Sequence, residues 1–281
     1  MEIPRYWRRA EEQISKPDGA SLQLKAWGWS SDSEAAALDV AKDRLSKLVV
    51  RVKNREPLPT GYAYGTRPIR EEVLDEFHDS DGTQMAVVTR NGYGSRVLNA
   101  DRLLFIDVDY KTRGLAAWLR DQFSRGRPGA RSGELDRLCS ALERFAPVTF
   151  RVYETAAGLR AMSVSHTFQP DGPEARELLQ AASADPAFVQ LCRLQKSFRA
   201  RLTPKFWRCQ MKSGPPAYPR EEARSRDVFD AWLREYEERS RPFATCRFVQ
   251  AVGSRSVHAE NVRLLQLHDR ETRVGERLAL A

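Results

Sequence analysis

Two carboxylates stand two residues apart in an apolar segment. The segment is RLLFIDVDY, residues 102–110, and its acids are Asp107 and Asp109. Because side chains alternate between the two faces of a strand, both carboxylates point to one face, and Leu104, Ile106 and Val108 point to the other. Neighbouring like charges favour a cation, and carboxylate oxygens suit Mg²⁺ or Mn²⁺. The pattern predicts a divalent-metal site; the alternative is a strand that ends in solvent, with Asp107 paired to an arginine.

Two further segments place polar groups at the ends of apolar runs. The strand predicted in LRAMSVSHTF ends with Ser163, Ser165 and His166, and the alternating pattern puts His166 on the same face as Arg160. VRLLQLHD, residues 262–269, is predicted to be a strand that ends in Asp269. The alternatives are a structural histidine and a loop aspartate that caps the next element.

In chain order, FIDVD, SVSH and LQLHD resemble three motifs of the archaeo-eukaryotic primase superfamily, the primase-polymerases. The resemblance implies that Asp107, Asp109 and a third acid, Asp269, hold the divalent metals, and that His166 contacts the phosphates of an incoming nucleotide. It makes all four of these residues catalytic. The third acid has two alternatives, Asp230 and Glu260, and there is no zinc-binding cysteine group of the kind that many primases carry.

A second cluster of chemistry is the basic stretch at residues 193–208, RLQKSFRARLTPKFWR, which contains no acid. Cations bind phosphate oxygens, and interleaved aromatic rings stack on bases. The stretch predicts contact with a triphosphate or a nucleic-acid backbone; the alternative is a solvated helix face. Together with the second motif, the predicted nucleotide- or nucleic-acid-binding residues are Arg160, Ser165, His166, Lys196, Arg199, Arg201, Lys205 and Arg208. The turn TRNGYGSR, residues 89–96, is a further candidate, and an ordinary hairpin is its alternative.

The whole chain is basic, with 46 Lys and Arg against 38 Asp and Glu in 281 residues and a net charge of +8. Arginine predominates, which suits bidentate phosphate binding or reflects a GC-rich genome. The cysteines are scattered, without a CxxC pair, and no apolar run approaches the roughly 18 residues of a membrane helix. These features favour a cytoplasmic protein without a membrane partner.

Hydrophobic periodicity predicts an α+β fold. Strands are expected at residues 21–30, in two or three pieces of 84–110, and at 148–153, 159–165, 245–253 and 262–269. Helices are expected at residues 34–52, 69–77, 115–123, 133–146, 173–182, 186–200 and 228–240. This order suggests an antiparallel sheet with helices on one face and a core like a ferredoxin or an RNA-recognition motif, with room for a second small sheet. We treat residues 1–281 as a single catalytic unit, with subdomains 1–84 and 85–281 as the alternative.

These observations predict a metal-dependent nucleotidyltransferase, primase- or polymerase-like, that transfers nucleotides from NTP or dNTP to DNA or RNA with Mg²⁺ or Mn²⁺. A protein of another class remains open, which binds nucleic acid on the same sheet without catalysis. A metal-dependent nuclease built on the same acids is the third alternative.

Overall fold

The structure is a computed structural model that describes residues 1–15, 19–57, 68–110, 129–254 and 256–281. The helix expected at 115–123 and nearly all of the loop TGYAYGTRP, residues 60–68, lie outside the described residues. Within them the molecule is an α+β protein built on antiparallel sheets, as the sequence predicts. No helix of the described ranges is both long enough and apolar enough to span a membrane.

The N-terminal part is a hairpin covered by one helix. Strands β1 (Tyr6–Ser15) and β2 (Ser21–Ser30) pair antiparallel, and helix α1 (Glu34–Lys53) packs on them around its own small core. The Ser33 side chain accepts a hydrogen bond from Ala36 N at 3.1 Å and caps the helix. At Gly28, a Cβ would come within 2.1 Å of the Ala37 carbonyl oxygen, so β2 and α1 approach this closely only because the residue is glycine.

Two four-stranded sheets form the larger part of the molecule. The first has the order β3-β4-β5-β9 and the second the order β11-β7-β8-β6. The strands of the first sheet are β3 (Glu72–His78), β4 (Gln84–Arg90), β5 (Arg96–Ala100) and β9 (Phe198–Arg201). Those of the second are β6 (Phe105–Asp109), β7 (Phe150–Thr155), β8 (Gly158–Ser163) and β11 (Cys246–Val252). Apolar residues of both sheets share one main core, which fixes the sheets against each other.

The remaining helices pack around these sheets. They are α2 (Gly129–Glu143), α3 (Pro173–Ala181), α4 (Pro186–Gln195), α5 (Ala223–Ser240) and α6 (Ala259–Glu271), with a 3₁₀ turn at Phe206–Cys209. Two short strands, β10 (Phe243–Ala244) and β12 (Ala279–Leu280), pair in parallel. The helices expected at 34–52, 133–146, 173–182 and 228–240 are confirmed, with shifted ends, and so is the hairpin that turns before Gly158.

Two predicted elements are wrong, and a third is right only over its first ten residues. The helix expected at 69–77 is strand β3, because pairing with β4 outweighs the helical preference of its Glu and Leu residues. The helix expected at 186–200 ends at Gln195, since Lys196 turns left-handed with φ 47° and the chain enters β9. The strand expected at 262–269 lies in α6, whose buried side chains recur at helical spacing in Leu264, Leu267 and His268.

Candidate functional site

A cavity of about 200 Å³ lies where β6 ends and β8 begins. The N-terminus of α4 and the residues from β9 to the 3₁₀ turn complete its wall. The cavity is lined mainly by charged side chains, three acidic and four basic: Asp107, Asp109, Asp185, Arg160, Arg201, Lys205 and Arg208. It therefore brings together, from distant parts of the chain, both of the charged motifs that the sequence singled out.

Strand register places the two acids. In the β6–β8 pairing Asp107 is opposite Arg160 and Asp109 is opposite Gly158. A Cβ at position 158 would lie 2.0 Å from the Val108 carbonyl oxygen, so glycine is needed for β8 to approach the end of β6. Both carboxylates line the cavity, and Asp109 is the more exposed of the two. The sharing of one face, predicted from the strand period, agrees with this arrangement.

Asp107 is held by a buried arginine. Arg160 Nε donates to Asp107 Oδ1 at 2.7 Å and Nη2 donates to Oδ2 at 2.9 Å, while Nη1 donates to the Arg201 carbonyl oxygen at 2.8 Å. The Arg160 side chain is 1% exposed and that of Asp107 is 36% exposed. Burial alone would raise the pKa of Asp107, but the Arg160 guanidinium outweighs burial and holds that pKa below its usual value. This is the arginine pairing that the sequence offered as the alternative for Asp107, and it assigns Arg160 to positioning the acid.

The pairing with Arg160 does not use every lone pair of the Asp107 carboxylate. A carboxylate offers about four lone-pair positions, and the exposed part of Asp107 borders the cavity. Asp107 is therefore ionised, fixed in orientation and still accessible on its outer side.

Asp269 lies behind this pair, outside the cavity lining. Its Oδ2 accepts from Arg151 Nη2 at 2.8 Å, and its Oδ1 accepts from the Tyr153 hydroxyl at 2.9 Å. His268 connects it to the cavity acids, with Nδ1 3.0 Å from Asp269 Oδ1 and Nε2 3.5 Å from Arg160 Nη1. Since a guanidinium only donates, His268 Nε2 accepts and Nδ1 carries the proton towards Asp269. Asp269 lies on helix α6, where the sequence predicts a strand. Its carboxylate contacts Arg151 and Tyr153 of β7.

Burial lowers the pKa of His268, so its imidazole is neutral at pH 7. Burial would raise the pKa of Asp269, but the hydrogen bond with His268 and the charge of Arg151 outweigh it and hold that pKa below its usual value. Asp269 thus acts as an anchor for the back of the site.

Ser165 and His166 lie at the other end of β8. Ser165 Oγ accepts from Thr149 N at 2.7 Å and lies 2.7 Å from His166 Nδ1. Asn261 of α6 donates to the His166 carbonyl oxygen at 3.1 Å. Because β8 runs away from the cavity after Arg160, neither residue lines it. The structure does not bring the SxH motif to the DxD motif, and the alternative third acids, Asp230 and Glu260, do not line the cavity either.

Three cations of the basic stretch do face the cavity. In the described part of the chain, Arg201, Lys205 and Arg208 have no carboxylate within ion-pair distance, and Arg201 Nε and Arg208 Nη1 are buried without a hydrogen-bond partner. Burial, reinforced by neighbouring arginines, lowers the pKa of Arg201 and of Lys205. Three cationic side chains without a carboxylate partner in the described chain make this wall of the cavity suited to an anion.

The other two predicted cations of this stretch are elsewhere. Arg199 is buried and donates to both carboxylate oxygens of Glu71, at 2.8 and 3.0 Å, and to Asn99 Oδ1 at 2.7 Å. Lys196 lies beyond the other end of β9 and pairs with Glu2 at 2.8 Å. Neither lines the cavity. Arg199 is enclosed by its partners on the first sheet, and Lys196 precedes β9 at the end away from Arg201. Their predicted contact with phosphate is therefore not supported by their positions.

Asp185 is the acid that the sequence analysis missed. Its Oδ1 accepts from Phe188 N at 2.9 Å and caps α4, and its own N–H approaches the Asp107 carbonyl oxygen at 3.4 Å. The Asp-Pro pair at the start of a helical segment is a recognisable capping signal. That signal fixes the helix start but says nothing about the neighbouring strand.

The acids suit a Mg²⁺ or Mn²⁺ ion that is shared with a phosphate. Within the described ranges no group of three or more His, Cys, Asp or Glu side chains is placed to hold a metal by itself. Mg²⁺ commonly uses one or two carboxylates together with water and substrate phosphate oxygens. The outer side of Asp107 and the exposed Asp109 supply such a pair, opposite the basic wall.

Comparisons with family models, with curated proteins and with solved structures gave no match for this chain.

Proposed function

We propose that this protein is a metal-dependent nucleotidyltransferase, primase- or polymerase-like, that transfers nucleotides from NTP or dNTP to DNA or RNA. One observation carries the proposal. The cavity is lined both by two acids, Asp107 and Asp109, and by three cations that have no carboxylate partner in the described chain: Arg201, Lys205 and Arg208. Phosphoryl transfer needs this combination, because the substrate brings its own negative charge between the two walls.

The residues of the cavity would have separate roles in this reaction. The guanidinium groups of Arg201 and Arg208 line the cavity and supply positive charge and N–H donors for phosphate oxygens, and Lys205 adds a third charge beside them. Arg160 fixes the orientation of Asp107, and Asp109 is the more accessible ligand at the strand end. A divalent ion bound by the two acids would neutralise charge on the transferred phosphate.

The test is extension of a labelled primer on a template with NTP or dNTP and Mg²⁺ or Mn²⁺. Asp109→Asn removes a ligand from an exposed strand end, so we expect at least a 100-fold loss of extension with an unchanged melting temperature. Asp39→Asn on α1, also an exposed acid at 78% exposure, is the matched control and should extend normally. Full metal-dependent extension by Asp109→Asn would exclude the assignment.

A non-catalytic nucleic-acid-binding protein is the second candidate, and the Arg160–Asp107 pair favours it. If that pair is purely structural, the basic wall binds phosphate without a metal. The same preparation then binds oligonucleotides with a steep dependence on salt and no dependence on Mg²⁺. Addition of NTP or dNTP would then produce no extension.

A further inference from the structure

Two large aromatic side chains stand exposed next to the cavity. Tyr93 is 48% exposed and Trp207 is 45% exposed. Their ring centroids are 5.1 Å apart with an interplanar angle of 86°, so the rings meet edge to face and leave ring surface open to solvent. Tyr93 lies in the β4–β5 turn and Trp207 in the 3₁₀ turn, at positions distant in the chain.

The turn that carries Tyr93 is firmly built. Asn91 Oδ1 accepts from Tyr93 N at 3.0 Å and from Ser95 N at 3.1 Å. Gly94 has φ +81°, and a Cβ there would lie 2.0 Å from the Trp232 ring of α5. The turn thus needs glycine and packs directly on α5.

A hydrogen bond joins this turn to the segment of Trp207. Ser95 Oγ donates to the Pro204 carbonyl oxygen at 2.8 Å, and the Tyr236 hydroxyl of α5 donates to the same oxygen at 2.6 Å. These hydrogen bonds hold together the two chain segments that carry Tyr93 and Trp207, although the rings themselves remain exposed.

The aromatic pair adjoins the basic wall. Lys205 Nζ lies 5.2 Å from the centroid of the Trp207 ring and also lines the cavity, as does Arg208. The two basic residues that flank the Tyr93 turn, Arg90 and Arg96, do not add to these cations because both have partners elsewhere. Arg90 Nη1 donates to the Gly94 carbonyl oxygen, and Arg96 pairs with carboxylates of Asp75 and Glu271. Phe206 also meets the Trp207 ring edge to face, with ring centroids 5.0 Å apart. Partly exposed aromatic rings thus lie beside cations that have no carboxylate partner in the described chain.

We propose that Tyr93 and Trp207 form a stacking platform for the unpaired bases of a single-stranded nucleic acid whose phosphates lie on Lys205 and Arg208. Base stacking on aromatic rings beside a basic groove is the usual mode for single strands and tolerates any sequence. The inference rests on the proposed function for the use of the cavity, and it adds where the strand lies and how its bases are held.

The experiment measures binding without catalysis. Fluorescently labelled 12-mers are titrated by anisotropy in EDTA: single-stranded DNA, single-stranded RNA, and an abasic strand with the same number of phosphates. Trp207→Ala should weaken binding of the base-bearing strands about 5- to 100-fold and leave the abasic strand unchanged. Trp207→Phe should restore most of the affinity, and Tyr93→Ala should weaken the same strands to a smaller degree.

Phe248→Ala is the matched control. Phe248 is also an exposed aromatic, at 38%, beside the cation Arg151, but it lies on β11, at the opposite edge of the sheet from β6. Its binding should equal that of the unchanged protein.

Two results overturn the platform: no binding of base-bearing strands by the unchanged protein, or equal loss by Trp207→Ala on base-bearing and abasic strands. Equal binding of base-bearing strands by Trp207→Ala and Phe248→Ala would do the same. Extension by Asp109→Asn tests the proposed function separately. If that variant still extends while Trp207→Ala loses base-dependent binding, the metal assignment fails and the platform stands.

Discussion

Arg199 and Arg201 lie two residues apart on one strand and have opposite surroundings. Arg199 is enclosed by Glu71, Asn99 and Gln195, and all of its contacts are internal. Arg201 has a buried Nε without a partner and faces a cavity with two more unpaired cations. The same residue type in one basic stretch is thus fully paired at one position and lacks a carboxylate partner in the described chain two residues later. The difference lies in the acids that the fold brings near, so charge density along the sequence does not tell which cations stay available for a ligand.

The largest effect on the free energy of unfolding should come from removing Arg199, which is paired with Glu71. Arg199→Met leaves Glu71, whose side chain is 5% exposed, buried without its counter-charge. We expect a loss of about 3–5 kcal/mol in the free energy of unfolding, measured by urea denaturation.

The double variant Glu71→Leu with Arg199→Met is the control for that measurement. Because it removes both charges together, it should recover most of the lost stability. A double variant as unstable as Arg199→Met would mean that packing, and not the buried charge, causes the loss.

Removal of Arg201 should have the opposite effect: it should spare the stability of the protein and weaken ligand binding. Arg201→Met removes a half-buried cation whose Nε is buried and which has no carboxylate within ion-pair distance in the described chain, so the free energy of unfolding should stay the same or rise. Affinity for inorganic triphosphate, measured by calorimetry, should fall about 10- to 100-fold, because a charge-assisted hydrogen bond contributes about 1.5–3 kcal/mol.

Lys196→Met is the matched control for Arg201→Met, since Lys196 belongs to the same basic stretch and pairs with Glu2 away from the cavity. It should bind triphosphate as the unchanged protein does. A similar loss of affinity in both variants would show that net charge, and not the cavity, holds the anion.

A smaller effect should appear in the pH dependence of binding. Burial, together with Arg201 and Arg208, lowers the pKa of Lys205 from its ordinary 10.5. Lys205 carries its charge below that lowered pKa, so triphosphate affinity should begin to fall at a less alkaline pH than an ordinary lysine would give. Lys205→Arg keeps the charge at all these pH values and should abolish the fall. A fall that persists in Lys205→Arg would assign the titration to another group.

Local patterns predicted much of the fold. The strand that carries Asp107, the hairpin of β7 and β8, and helices α1 and α5 follow from apolar periodicity and turn residues. The segment at 262–269 was mistaken for a strand because its apolar residues fit both periods over so short a run, and only burial against the sheets selects the helix.

The candidate site could be predicted only in part, because local patterns do not show which distant residues pair. Strand alternation put Asp107 and Asp109 on one face, and acid-free basic sequence pointed to the stretch that contains Arg201. No local pattern tells that Arg199 meets Glu71, from a region far away in the chain, while Arg201 does not. Pairing of this kind depends on which distant segments the fold brings together, here the start of β3 and the strand β9 of one sheet. The same holds for Asp185, whose capping signal says only where α4 begins.

Arg160 also joins the two sheets. Its guanidinium on β8 holds the carboxylate of Asp107 on β6 and the backbone of Arg201 on β9. The spacing between the acidic and the basic wall is therefore preorganised before any ligand arrives. An anion that bound there, as we propose, would meet side chains already in place, so little ordering entropy would be left to lose on association.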